Sequence, residues 1–524
     1  MQTQASRRWP ASAIVVAVVL SLLLAIAGTA SVFGFVNAGR LREENRTLQE
    51  RVTATESRIE DLEAALAATE GQGTETDSFG GLGDLLGGLL SGGENGDLGA
   101  LDDLLGGLLG ETGNLDDLFG DLGGGLDMQS IGQCLTTPPG AFTIGEASLH
   151  EQVDDIAAAV EELRDLRFQG EIDPVFVTPE EMSERVRALA TEDYPPAVAE
   201  LETRLWVALR MLPEGFDLLD EQLDLLEGAV AGYYDPDSQE LVVASLAGEE
   251  PLGAADQVTL AHELIHALTD SRLGFPDSLD DPAADPERAR AIQALIEGDA
   301  TLGMQQFSMG AIDLFDQFGM MLDPRFAASQ QDLADFPYLL SNSLQLPYFE
   351  GMSFACALHA DGGWDRVDEA YDDPPTTTVE ILFPELYFAG WEPAEPLNGG
   401  DPGTDWTLLD DIGTGGAIGF GAVDLLYLFS APGDDTHAAL ADARERTRAW
   451  GGGLAKVWSR GEETAVLLSL VDGNTGDHRL CDSLSAWELS AFGADEANVI
   501  IDCREDNVLV AIAPDQATAT DVLG

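Results

Sequence analysis

The N-terminal part of the chain begins with a long apolar run. After a short tail, residues 1–11, residues 12–36 are almost wholly apolar and long enough to cross a bilayer, so we expect a single transmembrane anchor. A cleavable signal peptide is the alternative, because Arg7 and Arg8 precede the run and the small residues at 28–30 resemble a cleavage site. The apolar run continues past that site, which favours the anchor.

A heptad repeat follows the apolar run. Residues 39–70 carry apolar positions at alternating spacings of four and three, the pattern of a short coiled coil. Asn45 falls at an interior position between two leucines, which favours a parallel homodimer through residues 41–66. A single solvated amphipathic helix is the alternative, since so short a repeat is marginally stable.

Residues 71–130 contain near-repeats of Gly, Leu and Asp and are too rich in glycine to specify a packed core. This composition predicts a flexible linker. The alternative interpretation is that its leucine clusters are short peptides that touch a membrane or a partner.

From residue 131 onward helical periodicity dominates. Apolar residues at helical spacing predict helices over residues 147–166, 179–192, 197–212, 254–272 and 288–307. Short apolar runs around turn-forming residues predict a hairpin over 231–243, and further strands are expected at 466–471, 499–502 and 508–512 with a helix at 483–492. The expected fold class is α+β: a mostly helical domain with a small sheet at 131–410, and a smaller α+β domain at 411–524.

A metal-binding pattern lies in the helix expected at residues 254–272. His262 and His266 are four residues apart, so one helical face presents both imidazoles to a single metal ion. Glu263 lies beside them, where it can take a proton from a water held by that ion. This HExxH pattern predicts a zinc site. The alternative is a helix whose histidines are merely packed or exposed.

A third protein ligand is expected, because catalytic zinc usually keeps three and leaves one position for water. Glu297 is the best candidate, since it lies in the helix predicted at 288–307, which Asp285 opens as N-cap. Gly298 costs helix stability, so we expect Gly298 and Ala300 to let this helix pack closely against the HExxH helix. Otherwise Glu297 is one more solvated acid among 95 acidic residues.

These residues resemble the gluzincins, the thermolysin-type zinc metallopeptidases. The string HELIHALTD at 262–270 is close to the thermolysin-type helix, and EGDA at 297–300 is similar to the pattern around the glutamate ligand of gluzincin aminopeptidases and minigluzincins. Over about residues 140–460 the chain also resembles a little-studied family of bacterial metallopeptidases, through YYDP at 233–236, PYxxG at 347–351, GGW at 362–364 and PPT at 374–376. The resemblance implies a zincin-like fold and peptide hydrolysis at a zinc ion.

Two positions depart from that pattern. Thermolysin-like enzymes have an aspartate four residues after the glutamate ligand, where this chain has Thr301. Asp299 or Asp270 can then accept the hydrogen bond of a ligand histidine. Phe383 stands where many relatives have a histidine, so any role of that histidine is lost or moved in this chain.

The ligand set predicts hydrolysis of peptide bonds by a zinc-activated water, with Glu263 as the general base that passes the proton to the leaving amine. The developing oxyanion needs a hydrogen-bond donor besides the metal. Tyr348 is our first choice, because it lies in a loop-like stretch after the metal helices. Tyr233, Tyr234 and His359 are the alternatives.

The hairpin before the HExxH helix offers a strand edge to which an extended peptide can add by main-chain pairing. Its Asp235 and Asp237 have the chemistry of a calcium site, but an ordinary turn is the simpler interpretation.

The four cysteines form an even, sparse set. Cys481 and Cys503 flank a helix-and-strand unit and can bridge, which leaves Cys134 and Cys356 to tie the start of the domain to its middle. Disulfides suit an exported protein, and four buried thiols are the alternative. The net charge of −70 excludes nucleic acid as a partner.

The sequence therefore predicts a single-pass membrane protein with an extracytoplasmic catalytic domain that cleaves a peptide or protein substrate with Zn²⁺. The main alternative is a catalytically inactive, zinc-stabilised binding module tethered to the membrane. A third is a non-peptidase hydrolase with the same zinc chemistry. Glu263 favours an enzyme, because an inactive relative commonly loses this acid first.

Overall fold

The computed structural model describes residues 134–524 apart from 136, 146–147, 171, 194–195, 237, 246–250, 277–285, 322–335, 410–415, 474–477 and 494–497. The expected tail, anchor, coiled coil and linker of residues 1–130 lie outside the described residues. Within the described ranges, no helix is both long and apolar enough to cross a membrane.

The first part of the described chain is mostly helical. Its helices are α1 Leu149–Arg164, α2 Pro179–Asp193, α3 Pro196–Ala208, α4 Leu218–Ala229, α5 Ala254–Leu273, α6 Pro286–Ala311, α7 Leu314–Met321, α8 Tyr338–Gly362, α9 Trp364–Asp372, α10 Thr378–Leu382 and α11 Pro384–Phe388. The predicted helices at 147–166, 179–192, 197–212, 254–272 and 288–307 correspond to α1, α2, α3, α5 and α6.

Local sequence explains where several of these helices begin. The side chain of Ser148 accepts a hydrogen bond from the backbone N–H of Glu151 at the start of α1, and Asp217 caps α4 in the same way. The helix α6 begins at Pro286 with Glu287 in its first turn. Its expected N-cap, Asp285, lies outside the described residues.

Three short strands form a sheet beside these helices. They are β1 Val175–Val177, β2 Gly232–Asp235 and β3 Glu240–Ala244, in the order β1-β3-β2. The strand β3 pairs parallel to β1 and antiparallel to β2, which confirms the predicted hairpin and places β2 at an edge of the sheet.

The C-terminal part combines a larger sheet with further helices. Its elements are β4 Thr407–Leu408, β5 Ile418–Gly419, α12 Ala422–Ser430, α13 Ala443–Thr447, β6 Trp450–Arg460, β7 Glu463–Asp472, α14 Leu480–Phe492, β8 Val499–Cys503, β9 Asn507–Ile512 and α15 Gln516–Leu523. Two 3₁₀ turns, Pro432–Asp434 and Thr436–Ala438, follow α12. The strand order is β4-β6-β7-β9-β8, and β5 also pairs with β6.

The fold class is α+β, as predicted. The described residues belong to one compact unit, and one hydrophobic core joins Leu201 and Leu205 of α3 to Val457 and Leu468 of the larger sheet. The expected domain boundary at 410–411 falls outside the described residues, so the division into two domains stays a prediction.

One expectation about local structure is wrong. Tyr348 does not lie in a loop but inside α8, a helix of 25 residues that contains Pro347. Proline removes one backbone hydrogen bond and disfavours a helix interior. Here α8 is buried along most of its length, and this packing outweighs the local cost.

Candidate metal centre

The HExxH residues lie in the middle of α5, where the helix is buried on all sides from residue 258 to residue 269. His262 and Glu263 are 0% exposed and His266 is 6% exposed. The surrounding core is formed by aliphatic neighbours such as Leu264 and Ile265 together with residues of α1, α6 and α8. A rigid, packed helix therefore presents the two imidazoles.

Glu297 comes from the centre of α6 and meets both histidines. Its Oε2 lies 3.2 Å from His262 Nε2 and 3.3 Å from His266 Nε2, and the two nitrogens are 2.9 Å apart. The nitrogen and oxygen ligands of a tetrahedral zinc ion lie about 3.3 Å from one another, so the three atoms fit such an ion. His262, His266 and Glu297 thus form a group that can hold a metal ion.

The electrostatics of the group suit a cation. Burial lowers the pKa of His262 to about 4, so this imidazole is neutral at pH 7. Burial alone would raise the pKa of Glu297, but the charge of His266 and the contacts with both histidines bring it down to about 2. Burial disfavours the protonated form of His266, but attraction to the Glu297 carboxylate is stronger and raises the pKa of this histidine. The carboxylate is therefore ionised at neutral pH, as a metal ligand must be.

Glu263 lies beside the three ligand atoms, but its carboxylate is not paired with either histidine. Neither of its carboxylate oxygens has a hydrogen bond of good geometry from the described residues. Burial raises the pKa of Glu263 to about 8, and the negative charge of Glu297 adds to the rise. The charge of His266 and the backbone N–H of Tyr234 act in the opposite direction. A carboxyl group with a pKa near neutral can both accept and return a proton.

The structure brings Tyr348 to the same place. It is fully buried, and its ring centroid lies 6.2 Å from that of His262. Its hydroxyl oxygen has no hydrogen bond of good geometry from the described residues. Burial raises the pKa of Tyr348 well above 10, and the carboxylates of Glu297 and Glu263 add to the rise. The phenol is therefore a protonated donor near the candidate metal ligands.

The other candidate donors are engaged elsewhere. The hydroxyl of Tyr233 accepts a hydrogen bond from Arg185 at 3.3 Å, and that of Tyr234 donates to Asp270 at 2.9 Å. His359 packs against Trp364, with ring centroids 4.8 Å apart.

Gly298 is a site of close helix packing, but against a different helix from the one expected. A Cβ on Gly298 would lie 2.1 Å from the carbonyl oxygen of Gly351 in α8. Gly303 is the glycine that faces α5, where an added Cβ would lie 2.6 Å from Ile265 Cδ1. Neighbouring residues differ by about 100° around a helix, so Gly298 cannot point the same way as Glu297.

Neither of the two aspartates expected to support a ligand histidine hydrogen bonds to one in the described residues. Asp299 accepts from Arg164 and Tyr371, whereas Asp270 accepts from Tyr234. The hydroxyl oxygen of Thr301 is buried and has no partner among the described residues.

Two further positions lie outside the site. Phe383 packs between the guanidinium groups of Arg444 and Arg448, at 5.5 and 4.8 Å, in a core separate from that of the metal ligands. Asp235 accepts a hydrogen bond from the hydroxyl of Ser238 at 2.6 Å, as in an ordinary turn, and Asp237 lies outside the described residues.

Both expected disulfides are present, Cys134–Cys356 and Cys481–Cys503. The first joins the start of the described chain to α8, the helix that carries Tyr348. Comparison of the chain with protein-family models, curated proteins and solved structures finds no match. The function is therefore inferred from the chemistry of the site.

The sequence analysis missed Arg164 and Tyr371, which hold Asp299 of α6. Arg164 is the last residue of α1, where a basic side chain ordinarily interacts with the helix dipole and solvent. No local signal distinguishes a buried arginine from an exposed one at that position.

Proposed function

We propose that the protein is a gluzincin-type zinc metallopeptidase. The observation that carries the proposal is the convergence of His262, His266 and Glu297 at separations of 2.9 to 3.3 Å, with Glu263 buried beside them. These three side chains would hold zinc, which supplies Lewis-acid activation of a water molecule and of the substrate carbonyl. A zincin-like arrangement of α5 and α6 is part of the proposal.

Glu263 is the general base. It takes a proton from the attacking water and passes it to the nitrogen of the leaving amine. Its burial supports this role, because removal from solvent raises the pKa of the Glu263 carboxyl and makes its carboxylate a stronger base than an exposed one. The absence of a hydrogen bond of good geometry within the described residues leaves its oxygens available to the reacting water.

Tyr348 stabilises the oxyanion of the tetrahedral transition state. Its hydroxyl is protonated and lies close enough to Glu297 and Glu263 for both carboxylates to affect its pKa. A donor held in place before the reaction begins requires no reorganisation as the negative charge develops.

The edge strand β2 binds the substrate backbone. It runs beside α5, since a Cβ on Gly232 would lie 3.3 Å from Glu263 Cγ. A peptide added to the free edge of β2 would gain main-chain hydrogen bonds that demand no particular sequence. It would also lie beside the proposed general base.

We place this activity outside the cytoplasm, on a membrane anchor formed by residues 12–36. The two disulfides support an oxidising compartment. The apolar run supports the anchor, and the heptad pattern supports a homodimer through residues 41–66.

A zinc-stabilised binding module without catalysis is the second candidate. The observation that favours it is the burial of all three ligand residues, which are between 0% and 6% exposed. Structural zinc sites are closed, but they usually have four protein ligands, whereas this group has three. The ligand number favours the enzyme over the binding module. Hydrolysis of a non-peptide bond by the same chemistry is a further alternative that a substrate screen would identify.

The test compares the full-length protein with Glu263→Gln. The exposed variant Glu214→Gln is the matched control. Zinc content is measured by elemental analysis and hydrolysis with casein and a library of quenched peptides. The proposal expects one zinc per chain in all three proteins and loss of hydrolysis only in Glu263→Gln. Stoichiometric zinc without hydrolysis in any of them would favour the binding module, and no bound zinc would refute the metal site.

A further inference from the structure

A buried charged network lies beside α6, on a different face of that helix from Glu297. Arg164 Nη2 donates to Asp299 Oδ2 at 2.9 Å and to Asp368 Oδ1 at 2.8 Å. The hydroxyl of Tyr371 donates to the same oxygen of Asp299 at 2.8 Å. The guanidinium of Arg164 stacks on Trp364 at 4.1 Å. Two elements, α1 and α9, therefore hold one carboxylate of α6.

The pair at the centre of the network is isolated from solvent. The side chains of Arg164 and Asp299 are 0% exposed, and that of Asp368 is 22% exposed. Buried charges interact strongly and in fixed geometry, so this pair constrains the position of α6 more firmly than a surface ion pair would.

Asp299 is two residues from Glu297, so their side chains leave α6 about 200° apart. Glu297 points towards α5 and its histidines, and Asp299 points towards α1 and α9. A carboxylate lies roughly 6 Å from its helix axis, so a rotation of 10° moves it by about 1 Å. A metal site tolerates about 0.5 Å, which makes the rotation of α6 critical for Glu297.

Tyr371 also connects the network to α5. Burial raises its pKa well above 10, Asp299 adds to the rise, and Arg164 and the side chain of Thr269 oppose it. Thr269 lies on α5, three residues after His266. Tyr371 is thus in contact with both helices that supply metal ligands.

We propose that Arg164 and Tyr371 are positioning residues, which hold Asp299 and thereby fix the rotation of α6 that brings Glu297 to the two histidines. This inference rests on the proposed metal function of His262, His266 and Glu297. It concerns the geometry of the ligand, and neither positioning residue touches the metal or the substrate.

The test measures zinc affinity and the visible absorption spectrum of the cobalt(II)-substituted full-length protein. Tyr371→Phe removes one donor to Asp299 and keeps the ring, whereas Asp299→Asn keeps the size of the side chain and removes its charge. The matched control is Tyr427→Phe, which also removes the hydroxyl of a buried tyrosine, one that donates to the backbone carbonyl of Asn342 and packs in a different core. Far-UV circular dichroism of each protein without metal verifies that it is folded.

The expected result is a zinc Kd raised about tenfold or more in Tyr371→Phe and in Asp299→Asn. The cobalt spectrum of both should change in intensity, because the ligand geometry changes. The control should stay within about twofold of the wild type. A role in stability alone would lower the melting temperature and leave the cobalt spectrum of the folded protein unchanged.

Wild-type affinity and an unchanged cobalt spectrum in Tyr371→Phe would overturn the inference while the metal site stands. Equal losses in Tyr427→Phe and Tyr371→Phe would also overturn it, since the effect would then follow from the loss of any buried tyrosine hydroxyl. A wild-type protein that binds neither zinc nor cobalt would overturn both this inference and the proposed function.

Discussion

Replacing Gly298 by alanine would force apart the two helices that carry Glu297 and Tyr348. The added Cβ would lie 2.1 Å from the carbonyl oxygen of Gly351, where ordinary contact begins at 3.4 Å. The helices α6 and α8 must then separate by the difference, 1.3 Å, because a backbone carbonyl inside a helix cannot move aside alone.

The magnitude follows from two opposing effects. Overpacking of a core typically costs about 1–3 kcal/mol, and contact with backbone belongs at the upper end of that range. Alanine gains about 1 kcal/mol over glycine inside a helix. We therefore expect Gly298→Ala to lower the free energy of unfolding by about 1–2 kcal/mol. Zinc affinity should fall as well, since Glu297 is the neighbouring residue.

Gly319 provides the matched control. It lies inside α7, and an added Cβ there would meet nothing within 4 Å. Gly319→Ala should therefore stabilise the protein by about 0.5–1 kcal/mol. Urea unfolding of the metal-free proteins, followed by tryptophan fluorescence, measures both changes, and competition with a chelator measures the zinc Kd. A Gly298→Ala protein that is as stable as Gly319→Ala and binds zinc as tightly as the wild type would show that α6 and α8 do not have to separate.

Three further predictions concern the proposed oxyanion donor, a buried acid and the disulfides. Tyr348→Phe should lower kcat about 100-fold or more with zinc content unchanged, and an unchanged kcat would remove this tyrosine from the mechanism. Burial raises the pKa of Glu287 to about 7, so the contribution of this residue to stability is present below about pH 4.5 and is lost as pH rises through 7. Glu287→Gln should therefore make the free energy of unfolding, measured by urea denaturation, less dependent on pH between these values. A variant with the same pH dependence as the wild type would contradict this prediction. Breaking the first disulfide with Cys356→Ser should lower the free energy of unfolding by about 2 kcal/mol more than breaking the second with Cys481→Ser, because the bridges span 222 and 22 residues. Equal melting temperatures of the two variants would argue against loop entropy as the cause.

Local sequence predicted much of the secondary structure. Helical periodicity placed α1, α2, α5 and α6 within a few residues of their observed bounds, because their apolar stripes repeat at helical spacing. The short apolar runs on both sides of the turn-forming residues likewise predicted the β2–β3 hairpin. The helix α8 was missed, since Pro347 is typical of a loop and only burial on both sides of the helix favours it there.

The candidate metal group, too, was predicted from the sequence only in part. A spacing of four residues on one helix is a local property, so the pairing of His262 with His266 followed from the sequence alone. Glu297 was a good candidate, but its contact with both histidines depends on how α6 packs against α5, a distance between elements that no local pattern encodes. The helix that Gly298 faces depends in turn on the rotation of α6.

Sequence patterns alone thus predicted α1, α2, α3, α5, α6 and the hairpin, suggested the pairing of the cysteines and identified the chemistry available on α5. Three features became known only from the packing of the elements: Tyr348 lies beside the candidate metal ligands, Gly298 faces α8 and Arg164 is buried against Asp299. The physical reason is that periodicity and capping act within a few residues of the chain. Close packing and buried charge pairs instead join residues distant in sequence, and their geometry exists only once the core has formed.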